Sequence, residues 1–207
     1  MTAKRTSRTR KTQGAREAPP PPTRPETPEL PSWNGDGLLQ VLVDTPRGSV
    51  VKFKLDLDQR CYTIAHILPP GALFPYDFGS IPSTRAADGD PLDVLILIEA
   101  PTFPGCLVPV RLIGALEADQ TQDGRTMRND RLIGVSEKSR RYAAIRALAD
   151  VAPRELGAIE HFFVSYNEER GRRFRVLRRV GPARARRLVA AGEKAYRRAA
   201  KPARLAP

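Results

Sequence analysis

The chain has 207 residues and a formal net charge of +12. That length suits one ordinary domain with tails and leaves little room for two full domains. No apolar run is long enough to cross a bilayer, the polar N-terminus lacks the apolar stretch of a secretory signal, and two cysteines, Cys61 and Cys106, make no disulfide scaffold. A membrane protein and a disulfide-built secreted domain are not expected; a cytoplasmic place with free thiols is.

The charge is unevenly spread. Residues 1–32 carry +4, residues 33–169 carry −5 and residues 170–207 carry +13. The body is therefore mildly acidic and its ends are basic. Nucleic-acid contact through those ends is the lesser expectation, because the segment with the composition to fold does not share the bias.

Residues 1–33 read as a disordered basic tail, with the run Pro19 to Pro22, further prolines and little to bury. From Gly37 the texture changes. Leu38 to Val43 and Val50 to Leu57 are strand-like runs joined by a turn at Pro46-Arg47-Gly48. In the second run the alternation places Lys52 and Lys54 on one face. Prolines and glycines at 69–71 and 82 bracket a short segment from Phe74 to Ile81. Leu92 to Ile98 and Leu107 to Leu116 are the most apolar runs and read as central strands, with Arg131 to Val135 another. Many short strands with Gly/Pro turns predict a closed or nearly closed β-barrel.

Pro153 opens a helix whose apolar positions are Leu156, Ile159, Phe162, Phe163 and Tyr166, and Gly171 ends it. A strand follows from Phe174 to Val180. Gly181-Pro182 then opens a basic amphipathic helix. The expected division is a tail over 1–33, a barrel domain over 34–180, and a basic helix and tail over 181–207.

Asp88-Gly89-Asp90-Pro91-Leu92-Asp93-Val94 carries the most chemistry. Three carboxylates fall within six residues at the start of an apolar strand. Crowded carboxylates repel unless a cation joins them or some are protonated. Hard divalent ions take such oxygen ligands, although a solvated acidic turn accounts for the residue types equally well. Neither a Walker A sequence nor a dinucleotide-binding glycine pattern is present.

The stretch from Asp88 to Val94 resembles the signature of the family I soluble inorganic pyrophosphatases. Phe74 to Gly79, Pro101 to Gly105, Arg111 to Gly114 and Glu160 to Tyr166 extend the resemblance in the same order, so that it spans about residues 38 to 180. The resemblance implies an α+β, mainly β fold: an OB-like five-stranded barrel with flanking helices. It implies hydrolysis of pyrophosphate to two phosphates with Mg²⁺ as cofactor, Mn²⁺ being an alternative ion. It also implies a homo-oligomer.

Carried over by position, Asp88, Asp90 and Asp93 match metal-binding aspartates, with Asp90 beside the attacking water. Lys52 and Tyr166 match phosphate-contacting residues. Asp44 stands where a longer Glu is usual in the metal shell, and Arg131 where a phosphate-binding Lys is usual. His66 takes the place of a phosphate-binding Arg, Phe78 of a Tyr and Asn167 of a Lys. Two further metal-binding aspartates are expected around the hairpin after Gly114. Strict registers put Gln120 and Asn129 there, with Asp119 and Asp130 one residue away. Asp130 is the expected ligand if a bulge corrects the register. These departures leave two alternatives: weak or altered action on phosphoanhydrides, or a binding module that uses its basic tails.

Overall fold

The computed structural model describes residues 30–56, 59 and 61–200. Most of the segment read as a disordered tail lies outside them. Residues 30–33 do not behave as a tail. Leu30 accepts a hydrogen bond from Ser83, Pro31 one from Gln40, and Trp33 bridges to Leu39.

Nine strands and two long helices follow in chain order among the described residues. They are β1 (Leu39–Thr45), β2 (Val51–Asp56), β3 (Cys61–Ile67), β4 (Asp77–Ser80), β5 (Asp93–Leu97), β6 (Leu107–Gln122), β7 (Arg125–Arg128), β8 (Arg131–Ser136), α1 (Pro153–Glu168), β9 (Arg173–Val180) and α2 (Pro182–Ala200). The main sheet runs β1-β4-β5-β8-β6, and β1 pairs with β6 to close a five-stranded ring. Only the β5–β8 pairing in that ring is parallel. The expected OB-like barrel is thus observed. The strand β3, not singled out in the sequence, pairs with β2 as a separate hairpin.

β6 is longer than its apolar run because it serves several partners. It bonds β1 and β8 within the ring, then β7 and β9 beyond it. At Gly114 the register against β8 shifts, and a Cβ there would lie 2.4 Å from the Val180 carbonyl oxygen. A glycine lets β9 approach at that point.

The packing of β5 shows why its sequence is apolar at every position after Asp93. Leu95 and Leu97 join one buried cluster with Phe78, Leu116, Ile133 and Phe163. Val94 and Ile96 join another with Val41, Leu112, Leu132 and Val189. A strand covered on both faces needs apolar residues throughout rather than alternation. α1 packs on the first cluster through Leu156, Ile159 and Phe163, and α2 on the second through Ala185 and Val189. α2 therefore shares the core of the barrel, so packing does not break at residue 180.

Candidate active site

A cavity of about 360 Å³ opens between the β2–β3 hairpin, the loop before β5, the far part of β6 and the end of α1. Asp44, Lys52, Asp88, Asp90, Asp93, Arg131 and Tyr166 all line it. Lys54, Gln120, Asn129, Asn167, Arg170 and Arg172 line it too.

The acidic loop is held from behind. Gly89 sits at φ +93°, a left-handed conformation that glycine adopts without strain. The Asp90 amide donates to the Asp88 carboxylate at 3.1 Å, and the Asp90 carbonyl accepts from Ala86 at 2.7 Å. The Leu92 amide donates to the buried Thr84 hydroxyl at 3.0 Å, and the Arg85 amide to the carbonyl of Gly192 on α2 at 3.0 Å. The basic C-terminal helix thus supports the loop that carries Asp88 and Asp90.

Two of the aspartates already face cations of the chain itself. Lys54 Nζ lies 3.0 Å from Asp90, both side chains being more than half exposed. Arg131, only 6% exposed, donates to Asp93 at 2.6 Å. It also donates to the side-chain oxygen of Asn129. Its guanidinium lies between the rings of Phe163 and Phe174, 5.4 Å from each centroid. Two aromatic faces and one carboxylate therefore hold a buried, permanent charge.

Asp44 is 7% exposed, and burial pushes its carboxyl up to about 7 against the opposing pull of Lys52. Burial also pushes the Lys52 ammonium below its ordinary value, with Asp44 opposing. Lys52 Nζ sits 4.1 Å from the centroid of the Phe78 ring. Phe78 thus presents its aromatic face to this cation. Burial raises the Asp88 carboxyl as well.

The hairpin acids lie elsewhere, which corrects the expectation for Asp130. Asp119 pairs with Arg128 of β7 across the β6–β7 ladder and with Arg175 of β9 across the β6–β9 ladder. Asp130 accepts from the Ala118 amide at 3.0 Å and pairs with Arg128 at 2.6 Å. Neither acid lines the cavity. Gln120 and Asn129 do, joined by a hydrogen bond of 3.0 Å from the Asn129 amide to the Gln120 oxygen. The strict register holds, and no bulge carries Asp130 inward. His66 is displaced too. It stands edge-on to Tyr166, ring centroids 6.4 Å apart, and its neighbour Ala65 lines the cavity instead.

Lys54, Arg170 and Arg172 were not among the expected site residues. Lys54 had a signal, its alternation with Lys52. Arg170 had one too, standing one helical turn beyond Tyr166, whose hydroxyl it reaches at 2.9 Å. Among the described residues no group of three His, Cys, Asp or Glu side chains stands close enough together to hold a metal ion.

A family model described as inorganic pyrophosphatase matches residues 41–197. The inorganic pyrophosphatase of Nostoc sp. is 38% identical over 136 residues, 66% of this chain and 78% of its own length. That of Geobacillus stearothermophilus is 30% identical over 152 residues, 73% of this chain and 90% of its own. Among solved structures, the inorganic pyrophosphatase from Thermus thermophilus superposes with a TM-score of 0.74 at 30% identity, covering 82% of this chain and 97% of that one.

Proposed function

Because the chain belongs to the family I soluble inorganic pyrophosphatases, we propose that it hydrolyses inorganic pyrophosphate to two phosphates with the help of Mg²⁺. The observation that carries this reading is the gathering of Asp88, Asp90, Asp93, Lys52 and Tyr166 on one cavity. The donor chemistry fits the ion: the acids on the cavity wall offer oxygen only, which suits a hard divalent cation. No three described acids stand together, so Asp88 and Asp93 would hold it with waters filling the rest of its shell, and Asp44 would add negative charge from the cavity wall. Mg²⁺, or Mn²⁺ in its place, supplies charge for the phosphate oxygens and lowers the pKa of a bound water.

The chain's own residues do the rest. Asp90 takes the proton of the attacking water, and its pairing with Lys54 is exposed and weak enough to yield. Lys52 and Arg131 offer positive charge to the phosphoryl oxygens, the first as a point charge and the second as a planar fork. Tyr166 offers its hydroxyl to an oxygen of the substrate. The action belongs in the cytoplasm, with homo-oligomeric assembly on the family's pattern. No described helix is long and apolar enough to cross a membrane.

The test is phosphate release from pyrophosphate, with and without Mg²⁺, beside Asp90→Asn. Loss of a partly exposed carboxylate should leave the melting temperature nearly unchanged and cut the rate at least about 100-fold. Equal rates for both proteins would remove Asp90 from its role. No release by the folded wild-type chain would remove the reaction itself.

A further inference from the structure

Three cations on the cavity wall have no carboxylate within ion-pair distance among the described residues: Lys52, Arg170 and Arg172. The contrast with their neighbours is direct. Further along β9, Arg175, Arg178 and Arg179 are each engaged, by Asp119, Glu117 and Glu160. These three outward arginines have carboxylate partners, as those at the cavity do not.

The open arginines are also aimed by the backbone. α1 ends in a turn in which the Asn167 carbonyl accepts from the amides of both Arg170, at 3.0 Å, and Arg172, at 2.9 Å. The Asn167 side chain is turned inward, donating to the Phe163 carbonyl at 2.8 Å. Arg170 is further fixed by its hydrogen bond to Tyr166 and by stacking on that ring, 5.4 Å from the centroid. Lys52 is half-buried and lies over the Phe78 ring, so an anion in the cavity meets an ammonium that has given up part of its water.

The carboxylates opposite would repel an anion if they stood uncovered. Half of them are covered already, Asp90 by Lys54 and Asp93 by Arg131. This chain therefore supplies from its own side chains part of the positive charge that crowded aspartates otherwise draw from ions. The amides of Gln120 and Asn129 add polar wall without adding negative charge. A volume of about 360 Å³ is that of about a dozen waters, which accommodates two or three linked phosphoryl groups.

We propose that Arg170 and Arg172, together with Lys52, bind inorganic oligophosphate to this protein in the absence of any divalent ion. The proposal rests on reading the cavity as the pyrophosphate site and adds two substrate-binding residues to it. Guanidinium groups meet phosphoryl oxygens with two parallel hydrogen bonds, so a linked pair of phosphates engages both arginines where a single phosphate engages one. Pyrophosphate should consequently bind more tightly than orthophosphate.

The experiment is calorimetric titration of pyrophosphate into the full chain at low salt with excess EDTA, for the wild type and for Arg170→Ala/Arg172→Ala. The basic termini are common to both proteins, so the difference isolates the two arginines. Expected are saturable one-to-one binding by the wild type, at least tenfold weaker in the double variant, and weaker binding of orthophosphate than of pyrophosphate. No saturable binding by the wild type in EDTA overturns the proposal without recourse to any variant, and so does equal affinity in the two proteins. Phosphate release with Mg²⁺ is measured alongside. Release without metal-free binding sinks this proposal and leaves the hydrolytic reading standing. Metal-free binding without release does the reverse.

Discussion

Asp130→Ala should leave the Mg²⁺ concentration for half-maximal phosphate release unchanged. Its carboxylate is occupied by the Ala118 amide and Arg128, away from the cavity. The loss should appear instead as about 1–2 kcal/mol of stability in urea unfolding, the worth of a partly buried charged hydrogen bond. A shifted metal titration with unchanged stability would return Asp130 to the site. The sequence contained both candidate readings of this hairpin and did not choose between them. Strand alternation assigns Asn129 to one face and Asp130 to the other, but a bulge is invisible in residue types. The choice is made by Arg128 and Arg175, which the fold brings beside Asp119 and Asp130 from two other strands. Asp88, Asp90 and Asp93 were legible because their spacing lies within one loop. Arg172 was missed because an arginine-rich segment gives no sign of which arginines lack partners, whereas Arg170 carried an unused one in its spacing of four from Tyr166.

At the scale of elements, Gly114 is the point where β6 accommodates both β8 and β9. An alanine Cβ there would meet the Val180 carbonyl at 2.4 Å and the Leu148 side chain at 2.8 Å. Backbone oxygen has no rotamer by which to withdraw. Gly114→Ala should therefore destabilise by about 2 kcal/mol, read as a lower midpoint in urea at unchanged slope. An unaltered midpoint would mean that β9 shifts freely. Four of the five ring strands and both helices were legible in the sequence, since apolar runs and helical spacing mark them, while β4, Asp-Phe-Gly-Ser, read only as a short segment between loops. β3 was not: its sequence, Cys61 to Ile67, lacks a buried residue at regular intervals. The β2–β3 hairpin stands apart from the main sheet, so its pattern answers to the cavity and the exterior rather than to the core.

Across the whole molecule, Glu117 gathers distant parts of the chain. Its side chain is 1% exposed and pairs with Arg128 of β7, Arg178 of β9 and Arg184 of α2. Burial alone would raise its pKa, but hydrogen bonds from Arg178 and Arg184 outweigh it and hold the carboxyl at about 2, below its ordinary 4.5. A depressed carboxylate contributes its stability above pH 4.5 and loses it as pH falls from 4.5 toward 2. Glu117→Gln should thus cost about 3 kcal/mol at neutral pH, the penalty for breaking a buried pair. The gap between the two unfolding curves should close between pH 4.5 and 2. A gap that stays constant over that range would mean that the charge of Glu117 is not what joins these elements.

The order of strands in the ring also governs the order in which the ring can be completed. β8 sits between β5 and β6, both of which precede it in the chain. While the polypeptide is being synthesised, the apolar strand β5 and the middle of β6 therefore wait with open edges until residues 131–136 arrive. Open strand edges recruit other chains. The interval between the emergence of β6 and that of β8 is the one in which a nascent chain of this protein is most exposed to aggregation. The closely following β6–β7 hairpin, with its turn at Asp123-Gly124, keeps that interval short.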